Sequence, residues 1–445
     1  MRIYDSFLGT HILSIQSRPL YRSWMPQERK VSRDRHTLMN TRDSLYLFLW
    51  NIISGVHQTR FWFVGLTKRS ICQCGCDGQH TFQVIWDVLA WALQACLLRR
   101  YPKRRHDGVP FSKSPYPNDR KRAQKANQKL QFGVGVVQKR GDWQWLASML
   151  NLANWASRKT NFCFRCACDV VGMQSFGLHT EWRHTVLSHT TWLTEYLAAR
   201  VSGKEMPLLQ LPGFLITYVA IDWMHCADLG ITQYLIGNVM YLLFLKLGGL
   251  VSAPGPTLQK MHTMVWMASK ALRLKQPPCE TLTMPMIKGS GASPRMKLKA
   301  AETRRMLPVV HYMISTYMPP ESSKEELVLQ CTSLLLNAYQ EMDPKSFDAD
   351  SSPRRLAEYG RRHLLLYGHL SQDALQTRDQ YGLYWRIYPK HHLFCHLLDE
   401  VFETSSNPLE SWNYKDESEI GDAAKLAACL HPRTLSKVLL ERYRL

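Results

Sequence analysis

The sequence predicts an α/β protein with large helical segments, and three observations carry that expectation. Short runs rich in aromatic and β-branched residues, "TRFWFVGL", "FGVGVVQKRGDW" and "LITYVAID", read as strands. Longer segments with apolar residues at helical spacing, such as "TFQVIWDVLAWALQACLL", read as helices. Two cysteine-rich strings, "ICQCGCDGQH" and "NFCFRCACD", interrupt them and read as loops.

Taken in order, residues 1–60 are polar and basic around one apolar run, "SLYLFLWNII". "TRFWFVGL" supplies a strand, the first Cys/Gly string a tight loop, and "TFQVIWDVLAWALQACLL" a helix. Residues 99–125, "RRYPKRRHDGVPFSKSPYPNDRKRAQK", are basic and Pro-rich, which predicts an exposed loop. A strand ending on Asp142 follows, then a helix at "WLASMLNLANWAS", the second Cys string, and "LITYVAID" as a strand ending on Asp222. "ITQYLIGNVMYLLFLKLGGL" contains Thr232, Gln233, Asn238 and Lys246, so a buried helix is expected there, not a membrane span. "SAPGP", "KQPP" and "GSGASPRMKLK" mark loops or a mobile insertion between about 250 and 300. Helices are expected over 301–370, around a loop at "DPKSFDADSSPRR", and again at "PKHHLFCHLLDEVF" and "TLSKVLLERYRL". The expected organisation is a basic segment at 1–60, a core at 61–250, a mainly helical insertion at 251–375 and a C-terminal helical part of the core at 376–445.

Composition narrows the function. A chain of 445 residues with 45% hydrophobic content can fill sizeable cores and is not of the disordered class. Lys and Arg number 56 against 36 Asp and Glu, a formal charge of +20, which favours a polyanionic partner and above all nucleic acid. The N-terminal "MRIYDSFLGTHILSIQ" lacks the features of a secretory signal, and twelve cysteines without one suit metal ligation in a reducing compartment better than disulfides.

Cys163 and Cys166 form a C-x2-C knuckle, with Cys168 close by, and His392 and His396 form an H-x3-H pair on one face of a helix. Together they could complete a Cys2His2 zinc site; the alternative is two buried cysteines and a helix with surface histidines. Cys72, Cys74 and Cys76 could converge on one face of an extended segment, or lie in a turn whose glycines matter more than its sulfurs. Arg99, Arg100, Lys103, Arg104, Arg105, Arg120, Lys121 and Arg122 alternate with Tyr101, Phe111 and Tyr116. That pattern suits phosphate contacts with base stacking, or else a solvated loop. Asp142, Asp222 and the cluster Asp416, Glu417 and Glu419 are carboxylates placed as strand-cleaving nucleases need them, at strand ends and a helix start, although each by itself is more often a cap or a surface charge.

A C-x2-C, then the D-x2-H of Asp222 and His225 in "AIDWMHCADLG", then an acidic helix near the C-terminus resembles the cut-and-paste transposases of the CACTA (En/Spm-like) group. "YPKHHLFCHLLDE" is similar to that group's K-x-H-x3-H segment. "CQCGCDGQHTF", "YPKRRHDGVPF" and "NPLESWNYKDE" look like a divergent protist branch of transposon-derived reading frames. The resemblance spans roughly residues 40–445. It implies an RNase H-like catalytic core with large helical insertions and a zinc-knuckle loop. It implies a DDE-type nuclease using Mg²⁺ or Mn²⁺ held by Asp142, Glu417 and a first aspartate, Asp34 or Asp43, with a structural Zn²⁺ besides. Asp416 and Glu419 are rivals to Glu417, and the D-x2-H pair would support the core or bind metal. The absence of an end-binding domain ahead of the core suits a truncated copy. The expected function is DNA strand cleavage and transfer, or binding of nucleic acid by an inactive, zinc-stabilised relic. Expected partners are DNA and a second copy of the chain, without a membrane, in the nucleus with the cytosol as the alternative.

Overall fold

The structure, a computed structural model, describes residues 10–19, 45–52 and most of the chain from 60 to 441. Residues 1–9, 20–44, 53–59, 142, 154–161, 199–213, 378–383 and a few shorter stretches lie outside the described residues.

Three strands come first: β1 (Thr10–Pro19), β2 (Leu45–Ile52) and β3 (Arg60–Thr67). Helix α1 (Gln79–Leu97) buries Phe82, Ile85, Trp86, Leu89 and Leu93, the stripe that its apolar spacing requires. The basic segment expected to be a loop contains a helix, α2 (Pro117–Lys125), which starts on a proline whose missing N–H costs nothing at that position. Strand β4 (Gly133–Arg140) and helix α3 (His189–Ala198) follow. A π-helical segment, Met224–Ile231, runs directly into α4 (Thr232–Lys246).

The span between about 250 and 300 contains α5 (Gly255–Ala271) and α6 (Met284–Lys288) as well as loops. Then come α7 (Ala300–Tyr312), α8 (Ser323–Gln340), α9 (Ser352–Gln376), α10 (Pro389–Thr404) and α11 (Tyr414–Ala427). Helix α8 begins where the sequence signals it: the Ser322 hydroxyl accepts from the Glu325 N–H, and Glu325 and Glu326 lie in the first turn.

The chain divides into two compact units, neither a continuous stretch of sequence. Unit 1 comprises Met1–Leu152, Ser188–Ala220 and Tyr414–Leu445; unit 2 comprises Ala153–Leu187 and Ile221–Asn413. Unit 1 contains one four-stranded sheet of order β3-β2-β1-β4, with β1 antiparallel to β2, β2 antiparallel to β3, and β1 parallel to β4. Within it the Arg140 guanidinium, on β4, meets the carboxylate of Asp416, on α11, at 3.5 Å, both side chains buried. The Lys139 ammonium lies 4.8 Å from the centre of the Trp86 ring, and burial pushes its pKa down to about 7.

Unit 2 is built on helices, and no strand of the described residues falls in it. Met224–Lys246 is long and apolar enough by composition to cross a membrane, and 78% of its apolar window is buried in the protein. Helices α9 and α10 pack so closely that a Cβ on Gly360 would lie 2.5 Å from the Leu398 Cδ2.

The expected α/β RNase H-like core is therefore corrected: the chain is mainly helical, and helices make up the body of unit 2 instead of interrupting a sheet. The reason is visible in "LITYVAID". Short apolar runs do not distinguish strand from buried helix or turn by periodicity. Here Ile216–Tyr218 form a 3-10 turn, with one parallel bridge from Val219 to Lys139, and Asp222 starts a helix instead of ending a strand.

Candidate metal centre

The knuckle Cys163–Cys166 and the helix α10 meet inside unit 2. Cys163, Cys166, His392 and His396 are all buried, and their ligand atoms lie within 4.8 Å of one another. The Cys166 sulfur is 3.2 Å from the His392 Nε2 and 3.3 Å from the His396 Nε2, and the two Nε2 atoms are 3.2 Å apart. A tetrahedral zinc with ordinary bond lengths holds its nitrogens ~3.3 Å apart and its sulfur–nitrogen pairs ~3.6 Å apart. The four side chains fit such an ion closely, and they could hold a metal such as zinc.

Local sequence explains the geometry. The residues between the cysteines turn the chain so that the Arg165 N–H donates to the Cys163 sulfur at 3.3 Å, and Cys166 bridges to Val186. The two histidines stand one helical turn apart, and Pro389 starts that helix. Trp182 packs edge-on against both imidazoles, at 4.5 Å from His392 and 5.1 Å from His396, and Phe162 meets His392 at 5.5 Å. These rings exclude water from the centre.

The thiol of Cys166 is pushed up to about 12: hydrogen bonding with Cys163 pulls it down, and contact with Cys168 together with burial outweighs that. Burial lowers His396, with Cys163 opposing. A dication would bind the two sulfurs as thiolates, releasing their protons, together with the two imidazoles. Cys168, although buried, stays outside the cluster and donates to the Asp169 carbonyl at 3.3 Å.

Sequence reasoning missed the clamp that joins the knuckle loop to α10. Arg165, between the two cysteines, pairs with Glu400 at 2.5 Å. Arg183 pairs with Asp399, which also accepts from Arg361 at 2.8 Å. The signals were present as an arginine within the knuckle and an acidic pair one turn beyond His396, but nothing in the sequence said they met.

The D-x2-H motif has a different role from a ligand set. Asp222 accepts from the N–H groups of Met224 and His225 at 3.1 Å each, from the Asn413 N–H at 3.0 Å, and from the His225 Nδ1. Four donors use its acceptor capacity, so it serves as a helix cap. Lys390, from the K-x-H-x3-H string, donates to the carbonyls of His225 at 2.7 Å and Leu229 at 3.0 Å. Gly230 allows that approach, since its Cβ would lie 2.7 Å from the Lys390 Cδ. The strings "AIDWMHCADLG" and "YPKHHLFCHLLDE" are thus in contact.

Asp142, Asp34 and Asp43 lie outside the described residues. Glu417 and Glu419 are half-buried in the first turns of α11, and Asp416 is fully buried.

Among the basic residues Arg100, Lys103, Arg104, Arg120, Lys121 and Arg122 are exposed, while Arg99 and Arg105 are half-buried. The segment is built, not loose. Asp119 accepts from the Ser114 hydroxyl at 2.6 Å and pairs with Arg122 at 2.7 Å and Arg105 at 3.5 Å. The Arg105 guanidinium covers Tyr116 at 4.9 Å, and Lys125 covers Tyr101 at 5.7 Å. Among the described residues no carboxylate pairs with Arg100, Lys103, Arg104, Arg120 or Lys121.

Comparison with protein-family models finds no family that matches the chain, and comparison with curated proteins finds no similar sequence.

Proposed function

We propose that this chain is a zinc-stabilised DNA-binding protein of transposon descent that acts in the nucleus. The observation that carries the reading is the platform at residues 99–125. It presents five exposed cations that pair with no carboxylate among the described residues, on an ordered frame, in a chain of charge +20. Such a surface neutralises phosphates without reading sequence. A structural zinc at Cys163, Cys166, His392 and His396 holds unit 2 together, and the order of strings that resemble those of CACTA-group transposases supports the descent.

Duplex binding measured by fluorescence anisotropy over a salt series tests this. Replacing Arg104, Arg120 and Lys121 together by alanine should weaken binding and reduce the slope of log K against log salt by ~2–3, about 0.9 for each phosphate no longer neutralised. Binding that ignores salt, or a triple variant indistinguishable from wild type, would sink the proposal.

One observation favours a second reading, in which the chain also cuts DNA. The buried Arg140–Asp416 pair ties the first turn of α11, which carries Glu417, to the end of β4, two residues before Asp142 in sequence. Asp142, Glu417 and Asp34 would then hold Mg²⁺ or Mn²⁺. Mn²⁺-dependent nicking of a duplex, abolished in Asp142→Ala, is the expected result; nicking that survives the substitution removes this assignment.

A further inference from the structure

A second group of metal-ligating side chains lies in unit 1, where the function above does not use it. Cys72, Cys74, Cys76 and His80 bring three sulfurs and one imidazole nitrogen within 4.8 Å of one another. The His80 Nδ1 is 3.3 Å from the Cys74 sulfur and 3.6 Å from the Cys72 sulfur. We propose that these four residues form a second zinc site, of Cys3His type, at the start of α1.

The loop is built to hold this arrangement. Gly75, between Cys74 and Cys76, and Gly78, between Cys76 and His80, adopt φ of +91° and +82°, which lets the chain turn sharply between the ligands. No other residue fits at position 78, because a Cβ there would lie 2.2 Å from the Ile71 Cγ2. The Cys72 N–H donates to the Thr81 hydroxyl at 2.9 Å, and the Gln73 amide donates to the carbonyls of Lys68 and Ile71 at 3.1 and 2.8 Å.

Electrostatics favours a metal–thiolate centre at this place. Among the described residues, helix α1 has no side-chain cap and no acidic residue in its first turn, and the positive end of its dipole favours negative charge there. Three thiolates and a dication leave one net negative charge, placed where that end needs it. Three soft sulfurs and one imidazole select a thiophilic ion of the zinc class over Mg²⁺ or Ca²⁺. The site is the more open of the two, with Cys74 exposed and Cys72 and Cys76 half-buried, so its metal should exchange faster than that of the buried Cys2His2 centre.

The full chain, prepared with Zn²⁺ as the only added metal, is analysed for bound zinc. Wild type should hold two ions per chain, Cys74→Ser/Cys76→Ser one, and Cys163→Ser/Cys166→Ser one. Zinc content unchanged by the Cys74/Cys76 substitutions overturns the proposal, whatever the Cys163/Cys166 pair does. A measurement on wild type guards against misfolding of the variant. Alkylation followed by peptide mapping should find Cys72, Cys74 and Cys76 protected when zinc is present and reactive once it is stripped. Cys429, exposed and outside both clusters, should react equally in both. Equal modification of Cys74 with and without zinc also overturns the site.

Discussion

The buried histidines show how one residue type takes different roles within unit 2. His392 and His396 face sulfur, whereas His363, on α9, faces a carbonyl. Its Nδ1 donates to the Cys331 carbonyl at 2.9 Å and lies 3.3 Å from the Cys331 sulfur. Burial pushes the His363 pKa down to about 4, with the bond to the Cys331 carbonyl opposing. The unfolded chain binds that proton near pH 6.5. The folded pKa is the depressed one, so the stability due to a neutral His363 is complete above about pH 6.5 and is lost as pH falls toward about 4. The full effect is on the order of 3 kcal/mol for this group. Urea midpoints of wild type and His363→Gln, compared from pH 7 to 4, should therefore converge as pH falls. His391 is depressed in the same direction, chiefly by burial, and is present in both proteins. Parallel curves for the two proteins would mean that His363 is not the titrating group.

Helix α10 is where separate elements of unit 2 come together, and each of its faces has a different task. One presents His392 and His396 to the knuckle, the last turns carry Asp399 and Glu400 to Arg183 and Arg165, and Lys390 reaches the π-helical segment Met224–Ile231. The knuckle and the H-x3-H pair were legible because zinc ligation fixes residue types and short spacings within each half. The clasp by Lys390 was not, since a π-helical segment leaves no recognisable pattern and the carbonyls it exposes are invisible in sequence. For the same reason Asp222 looked like a strand end: "LITYVA" has strand composition, and only the donors from Met224, His225 and Asn413 identify a cap. Lys390→Met keeps most of the unbranched apolar stem but removes its donors from the carbonyls of His225 and Leu229. The expected cost is about 2–4 kcal/mol, from two partly buried acceptors left without that partner. A midpoint within experimental error of wild type would show that water satisfies those carbonyls.

At the scale of the molecule a metal in each of the two cysteine–histidine clusters would do unequal mechanical work, and chain entropy says which would matter more. The Cys2His2 cluster joins residues 226 positions apart, Cys166 to His392, so a metal there cross-links the two sequence segments of unit 2. In the chain-entropy account of cross-links a loop of that length contributes about 5 kcal/mol, against about 2.5 kcal/mol for the short loop from Cys72 to His80. Removing zinc should therefore act mainly on unit 2, although the site in unit 1 is the more exposed and should empty first. Thermal unfolding followed by calorimetry, with a strong chelator added in steps, separates the two effects. The first, rapid loss of metal should move the heat-absorption profile little. Loss of the second ion should lower the melting of unit 2 by many degrees, and Cys163→Ser/Cys166→Ser should reproduce that lowering without chelator. If the early loss caused the larger shift, the short loop in unit 1 would be the main metal-dependent cross-link, and the assignment of the Cys2His2 centre as the structural anchor of this chain would be wrong.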